Sequence, residues 1–160
     1  MSHERRESIY LEVLDEQDEL VVDRAKVRTV CEQILDDAGI RSGKINVILV
    51  DSDTIQQYNR DFLQHDTPTD TISFPLEDRR SEGSLEGEVL ACTEVAKSRA
   101  AEFSWTAEEE LLLYVVHGML HLVGFDDATP EQQTAMQEKE RSYLATLNIQ
   151  VPHWNWDDWD

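Results

Sequence analysis

The stretch 106-TAEEELLLYVVHGMLHLVGFDD-127 decides how the rest of the chain is read. Thr106 followed three residues later by Glu109 is the pattern of a helix start, in which each side chain satisfies a backbone N–H that the helix leaves unpaired. From Leu111 to Val123 the run is apolar on every side, as expected of a helix buried at the centre of a domain. Gly124 is placed to end it. Leucine would pack better than His117 and His121, so the two histidines need a reason. Residues four apart on a helix lie one above the other on one face, which aims both imidazoles at one point. A third ligand can come from just past Gly124, where Asp126 and Asp127 both stand. Two helical histidines and a carboxylate, with one position left to water, form the donor set of a catalytic zinc ion. The plain alternative is a hydrogen-bonded pair of core histidines.

Working outward, 8-SIYLEVL-14 alternates apolar and polar residues and reads as a strand. Val22 to Ala38 carries Val27, Val30, Ile34 and Leu35 at helical spacing, with Gly39 as a stop. The β-branched run 45-INVILVD-51 reads as a buried strand, and Asp53 can cap a helix to about Leu63. After the turn 66-DTPTD-70 a short strand, 71-TISF-74, should be halted by Pro75. Residues 77–87 read as an exposed loop, 88–93 as a strand, and Glu94 to Glu102 as a helix. Thr129-Pro130 starts a last helix, to about Leu147. Four strands and about five helices in mixed order suggest an α+β domain, with one helix buried against the sheet. Residues 1–150 read as a single domain and 151–160 as an acidic tail containing tryptophans.

Composition narrows the class. The 160 residues suit one domain with a real core. Two cysteines, Cys31 and Cys92, make neither a disulfide framework nor a paired-Cys zinc motif and fit a reducing compartment. No signal peptide or membrane span is expected, so the chain reads as cytoplasmic. Fourteen Lys and Arg against 34 Asp and Glu leave a charge of −20, which argues against diffuse, charge-driven binding to nucleic acid. Local basic groups remain: Arg24, Lys26 and Arg28, then Arg41 with Lys44, then Arg79 with Arg80.

The central stretch also aligns with the metal-protease pattern H-E-x-x-H-x-x-G-x-x-H/D, except that Gly118 stands where the catalytic Glu should be. Without that base, peptide hydrolysis of this type is disfavoured. A glycine inside a helix costs about 1 kcal/mol relative to Ala, which points to a need for space at Gly118.

One resemblance is specific. The segment 117-HGMLHLVGFDD-127 resembles the H-G-x-L-H-L-x-G-[YF]-D-H signature of the YbeY family of metal-dependent endoribonucleases. The stretches 59-NRDFLQHDTPTDTISFP-75 and 87-GEVLACTEVAKSRA-100 are similar to two further family blocks, and Met136 and Glu140 fit its closing M-x-x-x-E. The likeness covers roughly residues 45–140. It implies a zincin-like α+β fold, with a mixed four-stranded sheet and the metal-binding histidines on the buried helix. It also implies cleavage of single-stranded RNA in maturation and quality control of small-subunit (16S) ribosomal RNA, with the ribosome as partner and neither membrane nor DNA. The ligands so implied are His117, His121 and Asp127, holding one zinc.

Two departures bear on chemistry. Asp127 stands where the family has a third His; the extra negative charge implies a weaker Lewis acid and tolerance of harder ions such as manganese. Some family members carry Arg where this chain has Leu63, and Arg60, three residues earlier on the same helix, is the candidate substitute. Asp126 can orient a ligand imidazole from behind or simply reverse the chain in a turn, and Thr69, Asp70 and Ser73 are candidates to line the cleft. No general base is assigned beyond a metal-bound water. The rival readings are a non-catalytic ribosome-assembly factor with a structural metal, and a metal hydrolase of a small molecule or peptide.

Overall fold

A computed structural model describes residues 9–63, 69–103 and 105–152. The chain runs β1 (Ile9–Asp15), α1 (Arg24–Asp37), β2 (Ser42–Val50), α2 (Ser52–Leu63), β3 (Thr71–Arg79), a 3-10 turn at Arg80–Glu82, β4 (Ser84–Cys92), α3 (Thr93–Phe103), α4 (Ala107–Leu122) and α5 (Pro130–Ala145). The strands form one sheet in the order β1-β2-β4-β3, with β3 antiparallel to β4 and the other pairs parallel. The inner strands β2 and β4 end in runs of four buried residues, as expected where both faces of a sheet are covered.

The two faces carry separate cores. Val47, Leu49, Val89 and Ala91 pack with α1, α4 and α5. Ile48, Val50, Ile72, Leu90 and Cys92 pack with Ile55 of α2 on the other side. Alternation along each strand divides them in this way. Helix α4 touches β3, β4, α1, α3 and α5, which explains why it is apolar all round. It meets the sheet closely at Gly118. A Cβ there would lie 2.6 Å from Val89 Cγ1 and 2.9 Å from Thr71 Oγ1. The space that Gly118 leaves is therefore taken by β3 and β4.

Three local expectations are corrected. Pro75 does not halt β3, which continues to Arg79 past an irregularity in pairing between Pro75 and Glu77. A proline is tolerated there because β3 is an edge strand, whose outward N–H positions need no partner. Residues 77–87 are accordingly the two arms of a β3–β4 hairpin rather than an exposed loop. Helix α2 begins at Ser52 and is capped by Asp51, whose Oδ1 accepts from the Thr54 amide at 2.8 Å, and not by Asp53. Residues 66–68 of the expected turn, and residues 153–160 of the acidic tail, lie outside the described residues. Among the described residues no helix is long and apolar enough to cross a membrane.

Candidate metal centre

Both ends of the site are fixed by capping. Thr106 Oγ1 accepts from the Glu109 amide, and Glu109 Oε1 accepts from the Thr106 amide. Three glutamates in the first turn of α4 complement its dipole. At the other end Gly124 adopts φ +112°, a backbone region that strains any residue with a side chain. The Gly124 and Phe125 amides close the helix by donating to the His121 and Leu120 carbonyls. The chain then turns back, and a second capping box, Thr129 with Gln132, starts α5. Gln133 Nε2 donates to the Asp127 carbonyl at 3.1 Å, which secures the loop carrying that carboxylate.

The result is a triangle of donor atoms. His117 Nε2 and His121 Nε2 are 3.2 Å apart, and Asp127 Oδ2 lies 3.5 Å from the first and 3.3 Å from the second. Donors held about 2.0–2.1 Å from a tetrahedral ion are about 3.3 Å from one another. The three atoms thus have the spacing of three corners around zinc, and His117, His121 and Asp127 can together hold a divalent ion.

Behind the triangle stands a residue that the sequence did not single out for the site. Glu140 of α5, fully buried, places Oε2 2.6 Å from His117 Nδ1. A carboxylate accepting from Nδ1–H fixes the tautomer and leaves the Nε2 lone pair directed at the ion. The signal was present: Met136, Glu140 and Leu144 form the buried stripe of α5, and a glutamate in such a stripe needs a partner. Burial pushes the Glu140 carboxyl up to about 7, against the His117 contact that lowers it. Burial also opposes charge on His117, but the Glu140 hydrogen bond and the charges of Glu140, Asp70 and Asp127 outweigh it and raise its pKa. The pocket therefore favours a positive charge, held as a proton when no metal ion competes.

The remaining candidates scatter. The carboxylate of Asp70 reaches His117 and Glu140 electrostatically; it accepts from the Thr71 amide and from the Thr69 hydroxyl. Ser73 is half-buried opposite Val89, the neighbour of Gly118. Asp126 is exposed and its charge acts on Arg80. Arg60 is half-exposed, 3.5 Å from Asp61, on the helix that packs against the opposite face of the sheet.

An α+β domain that presents two histidines one helical turn apart, closed by a carboxylate from the following loop, belongs to the zincin-like class of metal hydrolases. Within that class, the family model described as Endoribonuclease YbeY matches residues 12–148, and the chain belongs to the YbeY family. A relative named Endoribonuclease YbeY from Rhodopirellula baltica is 45% identical over 122 residues, covering 75% of this chain and 62% of its own length. One of the same name from Salinibacter ruber is 39% identical over 129 residues, covering 77% and 82%. The solution structure of TM1509 from Thermotoga maritima matches with a TM-score of 0.58 at 28% identity, over 94% of this chain and 91% of that one.

Proposed function

We propose that this chain is a divalent-metal-dependent endoribonuclease that cleaves single-stranded RNA, with small-subunit ribosomal RNA as substrate, the ribosome as setting and the cytoplasm as location. The observation that carries the reading is the donor triangle of His117, His121 and Asp127, taken with membership of the YbeY family. Zinc is the first choice of ion for two imidazoles and a carboxylate; manganese is the second, because the third donor is a hard oxygen. When bound, such an ion supplies a Lewis acid for a phosphate oxygen and lowers the pKa of water.

The chain's own residues do the rest. Glu140 holds the proton on His117 Nδ1, so the neutral ring offers its Nε2 lone pair to the site. Asp127 offers Oδ2 to the triangle and so offsets part of the ion's charge. Near-complete burial of His117, within the apolar run of α4, keeps bulk water from that side. Asp70 adds negative charge beside His117 and favours retention of a cation.

The test combines metal content with cleavage of a single-stranded RNA, for the natural protein and for His117→Ala. About one ion per chain and metal-dependent cleavage, both lost in a variant whose circular dichroism is unchanged, are expected. RNA affinity without cleavage would make the protein a non-catalytic assembly factor instead. No metal and no RNA affinity would sink both readings.

A further inference from the structure

Two short basic stretches lie almost forty residues apart in sequence, 41–44 and 79–80, yet the fold brings their backbones to one end of the molecule. The Gly83 carbonyl accepts from the Arg41 and Ser42 amides at 2.7 and 3.1 Å. This ties the turn of the β3–β4 hairpin to the start of β2. From the same hairpin Arg80 reaches the loop that follows α4, where its guanidinium lies against Gly124. A Cβ on Gly124 would lie 2.0 Å from Nη1 of Arg80. The missing side chain is thus a slot that the guanidinium fills.

Arg80 is held by one edge. Its Nε donates to Asp78 Oδ1 at 2.8 Å, and the same oxygen accepts from the Arg80 amide at 3.1 Å. Among the described residues Asp78 is its one hydrogen-bond acceptor. The charge of Asp126, on the metal-centre loop, also attracts the guanidinium. The side chain is 36% exposed.

We propose that Arg80 is a positioning residue that holds a phosphate of the RNA strand close to the one being cleaved. This rests on the endoribonuclease reading above. A guanidinium locked through Nε, with Nη1 set against Gly124, still has Nη2 to donate to a phosphate oxygen, in a fixed plane that an ammonium does not offer. Asp127 is three residues beyond Gly124, which is at most about 11 Å of chain. A phosphate on Arg80 therefore belongs to the same strand segment as one at the triangle. The fixed guanidinium also gives a strongly acidic protein, at −20, a local cationic contact where it is needed. The competing role for Arg80 is a cap on the C-terminal carbonyls of α4, which is structural only.

The experiment uses full-length Arg80→Gln and Arg80→Lys, with Arg79→Gln as a neighbour that loses the same charge. Affinity for a single-stranded RNA oligonucleotide is measured across a salt series in chelator, so that no strand is cut. Loss of one phosphate contact should lower the log–log salt slope by about 0.7 in Arg80→Gln, and by much less in Arg79→Gln. Lysine should restore the slope. With metal present, KM should rise about tenfold or more in Arg80→Gln while kcat changes little. Lysine should recover KM only in part. A lower melting temperature with unchanged slope and KM would reduce Arg80 to a helix cap and overturn the proposal. If the natural protein neither binds nor cleaves the RNA, the functional reading fails first and the proposal with it.

Discussion

Glu140 and His117, 23 residues apart in sequence, meet 2.6 Å apart in the buried space between α4 and α5. This contact fixes which imidazole nitrogen faces the donor triangle. Glu140→Gln keeps the shape and an acceptor oxygen but loses the charge. Metal affinity should fall about 10–100-fold, read by competition with a chromogenic chelator. An unchanged affinity would leave Glu140 with a packing role only.

The same pair predicts an unusual pH dependence for the metal-free protein. Both groups have folded pKa values above their ordinary ones, so the native state binds more protons than the unfolded chain, and stability from this pair falls as pH rises. The Glu140 contribution changes between its ordinary 4.5 and about 7. The His117 contribution is full below its ordinary 6.5 and is lost as pH rises through its higher folded value. Urea midpoints in chelator, compared between natural protein and Glu140→Gln, should shift against the natural protein from pH 5 to pH 8. A difference that stays constant would contradict this. Metal affinity should run the other way and rise with pH, because the ion displaces a proton.

Asp127→His tests the one ligand that departs from the family pattern. Replacing a hard oxygen by imidazole should move preference from manganese toward zinc. The ratio of zinc to manganese affinity should be higher in the variant than in the natural protein. Equal ratios would mean that Asp127 does not touch the ion.

Gly118→Ala should destabilise the fold even though alanine is the better helix former by about 1 kcal/mol. The new methyl would lie 2.6 Å from Val89 Cγ1, and overpacking of this kind costs about 1–3 kcal/mol. Chemical denaturation of Gly118→Ala, Val89→Ala and the double variant gives the check. The double variant should be more stable than the sum of the single effects allows. Strict additivity would place the strain elsewhere.

Much of this architecture was legible in the sequence because local chemistry and tertiary environment agree there. The Thr106–Glu109 box, the all-round apolar run of α4 and the stop at Gly124 each have a strong local signal, and all three are in place. The second half of β3 was not legible. Glu77, Asp78 and Arg79 are exposed, and strand formation there comes from pairing with β4 rather than from any apolar alternation. The three donors that form the triangle could be chosen from spacing and resemblance, since they sit within eleven residues. Glu140 entered only as part of a family pattern, because its role depends on how α5 crosses α4. No period in the sequence encodes that crossing.

The position of Glu140 has a consequence for how the site comes into being. A nascent chain that has just exposed Asp127 already owns all three donors, but the carboxylate that orients His117 is still in the exit tunnel. Until α5 emerges and docks, His117 can rotate and swap tautomers, and its affinity for metal stays low. Metal capture should therefore follow the docking of α5, and a loaded centre reports that α5 has folded against α4.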